Sequence, residues 1–329
     1  MSFPPQLAMH LSTYLVKNWT LRKKRFPMVL MLEPTERCNL ACAGCGRIRE
    51  YRGCLDKNLS IEDCLQAVDE VGAPVVTIPG GEPLLHPDIK QIVEGVVSRK
   101  KHVHLCTNGL ILERSLLNFK PGPYMNFVLH MDGLAPAHNR GAGRDGVFET
   151  AVNAIRAAKK AGFRVYTNTT IFKSTDFKEI EALLEKLAAI GVDGFMISPA
   201  FHFESVDGDN FLSRDEINRV FQPLRELRRR FQFYNTSAYL DFLLGDKQAE
   251  CMPWSTPTLT PGGWRRPCYL LADEHCSTYR ELVEVTQWDR YGAGNEPRCT
   301  NCMVHCGFEA SLIDRARRSL PELFQLAKR

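Results

Sequence analysis

The sequence has 329 residues, of which 44% are hydrophobic and 24% are charged. This composition is typical of a folded globular protein and excludes a disordered or collagen-like chain. Single domains average about 150 residues, so the length predicts one large α/β domain with an appendage. Lysine and arginine number 42 against 38 aspartates and glutamates, an excess too small to indicate that the chain binds nucleic acid.

The chain begins with an amphipathic segment, residues 1–27, that ends in a basic run. Its apolar side chains have helical spacing, and Arg22, Lys23, Lys24 and Arg25 follow them. Such a segment either packs against its own domain or lies on an anionic membrane surface. It lacks the apolar core of an export signal, and no apolar run in the chain reaches the ~20 residues of a membrane span. We therefore expect a cytoplasmic protein, with any membrane contact peripheral to the inner face.

Residues 28–207 alternate short β-rich apolar runs with amphipathic helical patterns. Ser60 and Ser213 mark helix starts as N-caps in capping boxes, and Gly162 and Gly191 mark helix ends. This rhythm of six βα units predicts a parallel sheet or barrel. For residues 208–329 we expect a long arginine-rich helix and then a separate, loop-rich and cysteine-rich appendage. The predicted strands are Met28 to Glu33, Pro74 to Ile78, His102 to Cys106, Asn126 to Met131, Phe163 to Phe172 and Gly194 to Ser198.

Twelve cysteines in a cytoplasmic chain indicate metal or cluster ligation more than a disulfide framework. Cys38, Cys42 and Cys45 form a C-x3-C-x2-C triad on the loop after the first predicted strand. Iron–sulfur clusters normally take four protein thiolates, so a triad indicates a cluster with one iron left open for a substrate or cofactor. The alternative is a zinc site that takes Cys54 or Cys64 as its fourth ligand.

The triad resembles that of the radical S-adenosylmethionine superfamily, and further motifs strengthen the resemblance. It implies a partial (β/α)6 barrel like a TIM barrel, a [4Fe-4S] cluster on the triad, and S-adenosylmethionine bound to the open iron. In that superfamily a Gly-Gly-Glu-Pro segment meets the methionine amino group, and other cofactor contacts lie at carboxyl ends of strands, where barrel active sites collect. The implied cofactor-binding residues are Gly80, Gly81, Glu82, Asn108, Asp132 and Asn168.

The tail carries a second set of four cysteines suited to a closed metal site. Cys299, Cys302 and Cys306 are closely spaced, and Cys268 lies about thirty residues upstream. The set is similar to the auxiliary-cluster domains of radical enzymes, although its spacing differs. A second iron–sulfur cluster, a structural zinc and no metal at all stay open, with Cys251 and Cys276 as spare ligands.

Residues 260–269 and 301–309, together with the triad, resemble the radical enzymes of hopanoid biosynthesis over nearly the whole chain. The resemblance implies that the 5′-deoxyadenosyl radical adds to the alkene of the triterpene diploptene and forms adenosylhopane. It also implies an electron donor such as flavodoxin or ferredoxin. Two alternatives are a radical enzyme that modifies a peptide with help of an auxiliary cluster, and a non-catalytic metal-binding or electron-transfer module.

Cys106 is the candidate catalytic residue. It ends the third predicted strand and shares a face with His104, while Leu105 takes the other face. Addition of the primary 5′-deoxyadenosyl radical to the 1,1-disubstituted alkene of diploptene would leave a tertiary carbon radical, which needs a hydrogen atom. A buried neutral thiol keeps its weakly bonded hydrogen, so we predict Cys106 as the donor, with a role in packing alone as the alternative.

Overall fold

The computed structural model describes residues 4–316. Residues 1–3 of the predicted first segment and residues 317–329 of the predicted tail therefore lie outside the described residues. Nine strands of the described part form one sheet. They are β1 (Val29–Leu32), β2 (Val75–Ile78), β3 (His102–Thr107), β4 (Met125–His130), β5 (Arg164–Ile171), β6 (Gly194–Pro199), β7 (Thr258–Thr260), β8 (Gly263–Pro267) and β9 (Ala272–Cys276).

The first six strands confirm the predicted α/β fold with six βα units. Each of β1 to β6 pairs in parallel with the next strand along the chain, so spatial order follows sequence order. Parallel neighbours need a crossover, and helices supply it at every step. The result is a partial barrel whose strands all end at the same mouth, as the sequence predicts.

The helices follow the strands on the outer side of the sheet and cap its ends. In the helix over residues 147–160, Phe148, Val152 and Ile155 share one apolar face against the sheet. The helices are α1 (Pro5–Thr20), α2 (Arg47–Glu50), α3 (Ile61–Val71), α4 (Ile89–Ser98), α5 (Leu112–Ser115), α6 (Ala135–Ala142), α7 (Val147–Lys160), α8 (Phe177–Ala189), α9 (Arg214–Val220), α10 (Leu224–Arg230), α11 (Ser237–Leu243), α12 (Tyr279–Val285) and α13 (His305–Ala316). None of them, within residues 4–316, combines the length and the hydropathy that crossing a bilayer requires.

The predicted helix ends are present. Ser213 forms a complete capping box with Glu216, and the Ser60 hydroxyl accepts a hydrogen bond from the Asp63 amide without the reciprocal bond. Gly162 and Gly191 adopt left-handed backbone conformations, with φ of 86° and 85°, directly after helices. The predicted long arginine-rich helix is wrong, because the chain breaks it into α9 and α10. Pro223 stands at the break, where its missing amide hydrogen cannot continue a helical ladder.

The cysteine-rich tail extends the sheet of the barrel, in contrast to the separate appendage expected. β7 pairs in parallel with β1, with Met31 opposite Thr258, and β8 and β9 continue antiparallel from it. The tail therefore covers the β1 edge of the partial barrel. The boundary between residues 207 and 208 stays a prediction about domains.

The strands separate two kinds of packing. Their outward side chains, such as Leu105 of β3 and Phe127 of β4, join the main hydrophobic core beneath the helices. Their inward side chains line the barrel lumen, where Val128 and Tyr166 pack in a smaller cluster with Leu7 of α1. Because β2 and β3 begin beside this helix, α1 closes the amino-terminal mouth of the barrel and leaves the carboxyl-terminal mouth for the site.

Candidate active site

The loop after β1 places three cysteines at the carboxyl-terminal mouth. Cys38, Cys42 and Cys45 are free, partly buried thiols, and they lie close enough to influence one another's ionisation. Burial, followed by the nearby thiols Cys45 and Cys38, raises the pKa of Cys42 to about 12, and burial raises the pKa of Cys38 to about 11. Iron binds thiolates, so cluster assembly here has to release protons.

The two thiols that a zinc site would have to take lie elsewhere. Cys64 is fully buried in the core between the sheet and α3. Cys54 donates a weak hydrogen bond to the Tyr51 carbonyl oxygen at 3.5 Å. Neither thiol is among the groups that shift the pKa of Cys38 or Cys42, so a three-thiolate centre with one open iron stays the prediction for the triad.

Glycines and one arginine fix the shape of the cysteine loop. A Cβ at Gly44 would lie 2.6 Å from the Phe172 ring, and one at Gly46 would lie 2.4 Å from the Phe203 ring. Only glycine lets these rings pack against the loop. Arg49 Nη1 donates to the Cys42 carbonyl oxygen at 3.1 Å and also to that of Cys45. The loop is therefore held by its backbone, which leaves the thiols free to bind.

Gly80 and Gly81 lie directly against the segment that leads into the cysteine loop. The Gly81 amide donates to the Thr35 carbonyl oxygen at 3.0 Å, and the Glu82 amide donates to that of Arg37 at 2.7 Å. A Cβ at Gly81 would lie 2.2 Å from the Arg37 oxygen, and Gly80 has a φ of 109°. The chain's own backbone therefore explains both glycines, and their contact with the cofactor stays a prediction.

Glu82 acts as a buried bridge between the loops after β2 and β3. Its carboxylate accepts hydrogen bonds from Thr107 Oγ1 at 2.9 and 3.0 Å, from the Asn108 amide at 2.9 Å and from the Leu84 amide at 3.2 Å. Burial raises the pKa of Glu82 to about 7, although these hydrogen bonds act to lower it. Asn108 Nδ2 in turn donates to Asn39 Oδ1 at 2.7 Å. Glu82 thus positions Asn108 beside the loop that holds Cys38.

Asp132 and Asn168 complete the predicted mouth. Asp132 Oδ1 accepts from the Thr170 amide at 2.7 Å, while Oδ2 lies 2.6 Å from His130 Nε2. Asp132 is also one of the groups that raise the pKa of Cys42. Asn168 Oδ1 is buried and has no hydrogen-bond partner within residues 4–316. A buried acceptor without a partner is costly, so it fits a site that a polar ligand completes.

A buried charge network beside the triad was missed from the sequence. Glu33 follows β1 and is fully buried, as is Glu36, whose pKa is raised to about 9 first by burial and then by the Glu33 carboxylate. Arg47 Nε lies 2.9 Å from Glu33 Oε1, and its guanidinium carbon lies 4.4 Å from the centre of the Tyr269 ring. The one available signal was a glutamate directly after an apolar strand.

A second buried arginine extends this network into the tail. Arg265 of β8 is completely buried and forms an ion pair with Glu50 at 2.8 Å. It also donates to the Tyr51 hydroxyl at 2.6 Å and to the carbonyl oxygens of Leu271 and Leu270 at 3.0 and 3.2 Å. Arg47 donates to the preceding carbonyl oxygen, that of residue 269, at 2.5 Å. Two buried cations therefore hold three successive carbonyls just after Cys268.

Cys106 faces the lumen, on the side of β3 opposite to Leu105. It lies opposite Val128 on β4, which lies opposite Tyr166 on β5, so the three form one row across the barrel wall. Cys106 packs with this lumen cluster, whereas Leu105 belongs to the outer core. Burial, with a smaller contribution from the Glu82 carboxylate, raises the pKa of the Cys106 thiol to about 12. The thiol therefore stays protonated at neutral pH.

The second set of cysteines lines one cavity, and the structure adds a fifth thiol to it. Cys251 belongs to this set, whereas the other spare candidate, Cys276, is buried in the main core. All four other thiols raise the pKa of Cys251, after burial as the first cause. A Cβ at residue 307 would lie only 2.4 Å from the Cys251 sulfur, so the glycine there leaves room for this thiol. The cysteines lining the cavity are Cys251, Cys268, Cys299, Cys302 and Cys306.

Both cysteine sets fit an iron–sulfur group by the chemistry of their donors. In the described part of the chain, no three His, Cys, Asp or Glu side chains are arranged to hold a single metal ion. The first set offers three thiols at an open mouth, and the second offers five thiols in an enclosed apolar cavity. Iron–sulfur clusters are bound by cysteine thiolates, and both sets supply cysteine thiols.

Comparisons with known families agree with this site. Residues 32–187 match the model of the Radical SAM superfamily, and residues 195–326 match that of a Domain of unknown function (DUF3463). The chain is 26% identical to a GTP 3′,8-cyclase of Aliarcobacter butzleri, over 74% of its own length and 80% of the relative's. It is 26% identical to an AdoMet-dependent heme synthase of Oleidesulfovibrio alaskensis (60% and 52% covered) and 25% identical to a PqqA peptide cyclase of Granulibacter bethesdensis (73% and 64% covered).

Solved structures share the fold across most of the chain. Streptococcus suis SuiB superposes with a TM-score of 0.67 at 14% identity, which covers 92% of this chain and 77% of SuiB. The same protein bound to S-adenosylmethionine gives a TM-score of 0.65. At this identity the likeness shows the fold alone.

Residues 32–187, a little under half of the chain, are therefore those of a radical SAM enzyme, with a [4Fe-4S] cluster and S-adenosylmethionine as its cofactors. This match sets aside the non-catalytic module. None of the relatives named above is a hopanoid enzyme, so the finer resemblance is a proposal. The chain spans only about half the length of the heme synthase, and no relative's substrate transfers to it.

Proposed function

We propose that this chain is an adenosylhopane synthase, which adds the 5′-deoxyadenosyl radical to the alkene of diploptene. The observation that carries the proposal is the partly buried thiol of Cys106, which lies near the carboxyl end of β3 in a row with Val128 and Tyr166 on the lumen wall. The sequence resemblance over residues 260–269 and 301–309 supplies the substrate. A hydrocarbon substrate also suits a lumen lined by Val128, Tyr166 and Met196.

The residues divide the reaction between them. When bound, a reduced cluster on Cys38, Cys42 and Cys45 supplies the electron that breaks a C–S bond of S-adenosylmethionine and frees the radical. A new C–C bond then joins the adenosyl carbon to the alkene, and the unpaired electron moves to the tertiary carbon. Cys106 gives that carbon its hydrogen atom. The sulfur radical left on Cys106 takes one electron and one proton, the electron coming from a donor such as flavodoxin or ferredoxin.

A second candidate function is modification of a peptide, and the comparisons favour it over the first. SuiB has been solved with its precursor peptide SuiA, and that structure superposes on 92% of this chain with a TM-score of 0.64. The PqqA peptide cyclase is a further relative that acts on a peptide. The enclosed five-thiol cavity is the matching feature here, because an auxiliary cluster accompanies the peptide-modifying alternative.

One experiment separates the two candidates. The anaerobically reconstituted and reduced protein is incubated with S-adenosylmethionine and diploptene, and the products are analysed by mass. The first candidate requires an adenosyl-plus-C30 adduct with the adenosyl group retained. Free 5′-deoxyadenosine with no adduct would refute the first candidate. A parallel incubation in which a peptide replaces diploptene would support the second if that peptide is modified in proportion to the 5′-deoxyadenosine. Alanine at Cys38, Cys42 or Cys45 should abolish cleavage of S-adenosylmethionine, and turnover in any of the three would refute the cluster assignment.

The Cys106→Ala variant tests the hydrogen donor. We expect it to keep the cluster and to cleave S-adenosylmethionine, but to form less adduct or an adduct scrambled at the new stereocentre. Cys64→Ala is the matched control, because Cys64 is also buried with a pKa raised to about 12 but lies on the helix side of the sheet. If Cys106→Ala forms the adduct at the wild-type rate and with the wild-type stereochemistry, Cys106 has a role in packing alone.

A further inference from the structure

The two long faces of α1 have different surroundings. On the inner face, Leu7 is 1% exposed and packs with Leu11 against the lumen cluster. Polar contacts close the same face, since His10 Nδ1 lies 3.2 Å from His102 Nε2 and Gln6 Nε2 donates to the Tyr124 hydroxyl at 2.8 Å. The inner face therefore accounts for how α1 is held on the amino-terminal mouth of the barrel.

The outer face presents large apolar side chains to solvent. Met9 is 60% exposed and Val16 is 57% exposed, and a spacing of seven residues places them on one side of the helix. Leu21, directly after α1, is 58% exposed. Among the side chains whose exposure the structure describes, only two other large apolar residues, Leu117 and Val285, are comparably exposed. Three of these five side chains thus fall on one short segment, and packing among the described residues does not explain their exposure.

The same segment carries a one-sided charge. Residues 1–25 contain no aspartate or glutamate, and the first acid in the chain is Glu33. The positive side chains of Lys17 and of residues 22–25 are all exposed. The chain as a whole is nearly balanced, at a net charge of +4, so this local excess is a property of the segment. Exposed apolar residues beside unopposed cations match a surface that is both apolar and anionic.

We propose that the outer face of α1 and the basic turn at residues 22–25 dock on an anionic lipid bilayer. The apolar side chains enter the boundary between headgroups and acyl chains, and the cations remain among the headgroup phosphates. An acidic protein or a nucleic acid would engage the cations but would leave Met9 and Val16 unaccounted for. Docking sets the amino-terminal mouth of the barrel against the bilayer.

This placement has a consequence that rests on the proposed function. A triterpene dissolves in the bilayer and not in water, and α1 is the element that separates the lumen from the docked surface. An apolar substrate would then reach Cys106 without crossing water by displacing α1, whose Leu7 packs in the lumen cluster. Docking itself does not depend on which substrate is used.

The test is binding of the full-length, anaerobically reconstituted protein to vesicles by co-sedimentation. One set of vesicles is phosphatidylcholine alone, and the other contains about a third phosphatidylglycerol, which supplies the anionic surface. We expect at least about tenfold tighter binding to the anionic vesicles, with the difference reduced by salt. The double variants Met9→Ser with Val16→Ser, and Lys23→Glu with Lys24→Glu, should each lose about tenfold or more.

Matched variants elsewhere on the surface control for a general loss of apolar area or charge. Leu117→Ser removes a side chain that is 96% exposed, and Lys160→Glu reverses an exposed cation. Both should bind vesicles as the wild type does, and circular dichroism should show all variants folded. Equal binding to both kinds of vesicle, no binding, or equal losses in the controls would overturn the proposal, as would binding to an RNA or acidic protein probe alone. These assays contain no substrate, so they are independent of whether an adenosyl adduct forms.

Discussion

Arg265 is the buried side chain whose replacement should most reduce the stability of the cysteine-rich tail. The Arg265→Met change keeps much of the side-chain volume but removes the charge. It leaves two buried carbonyl oxygens, those of Leu270 and Leu271, without donors, and it breaks the ion pair with Glu50. Each orphaned carbonyl costs about 1–3 kcal/mol, and removing one partner of a buried ion pair costs about 3–5 kcal/mol. The lower ends of these ranges together give about 5 kcal/mol, which is the loss that we expect in the free energy of unfolding.

The assay is anaerobic guanidinium denaturation, with metal content per chain measured alongside. The loop that Arg265 holds follows Cys268 directly, so metal at the second cysteine set should fall while iron at the first set is kept. Arg229→Met is the control, because Arg229 is 75% exposed and pairs only with the exposed Glu226. It should change the free energy of unfolding by less than about 0.5 kcal/mol. A loss below about 1 kcal/mol for Arg265→Met would refute the reasoning.

Three further changes test the loop, the second site and the lumen. Gly81→Ala places a Cβ 2.2 Å from the Arg37 carbonyl oxygen, so iron content and cleavage of S-adenosylmethionine should be lost. Gly53→Ala is the control, because a Cβ there would have nothing within 4 Å, and it should match the wild type. Equal iron content in the two variants would contradict the prediction. Cys302→Ala should lower the melting temperature and the metal content of the second site while cleavage of S-adenosylmethionine persists, and an unchanged melting temperature with unchanged metal would reject it. Burial lowers the pKa of His104 to about 4 from 6.5, so the folded state binds fewer protons than the unfolded state. The free energy of unfolding should therefore fall by up to about 3 kcal/mol as pH falls from 6.5 to 4. His104→Gln should flatten this part of the pH profile of stability, and a profile identical to that of the wild type would count against the prediction.

Local patterns were sufficient to predict the six βα units and the mouth. Each predicted strand is an apolar run bounded by turn or capping residues, and such signals act over a few residues. The spacing of the triad indicated a cluster, whereas Asn108 and Asp132 were implied by the superfamily resemblance, which places such contacts at the carboxyl ends of strands. Alternation predicted that Cys106 and Leu105 take opposite sides of β3, and their packing agrees, but which side faces the lumen depends on the tertiary fold.

Long-range pairing was not predictable from the same signals. Nothing near Thr258 shows that its strand joins β1, because that register depends on residues distant in sequence. Arg265 and Arg47 look like ordinary surface cations in the sequence, and their burial follows only from partners on other elements. Cys251 was a spare candidate because its spacing carries no motif, and the fold brings it to the other four thiols.

The pairing of β1 with β7 also sets an order of events during synthesis. Met31 leaves the ribosome early, and its partner Thr258 follows only when most of the chain has been made. Contacts between residues so far apart form late, because closing the long loop between them must come first. Until then the cysteine loop after β1 has an open strand edge beside it, which invites aggregation. Chains that stop before Thr258 keep this edge open, so only molecules that extend past β7 are expected to be protected from aggregation there.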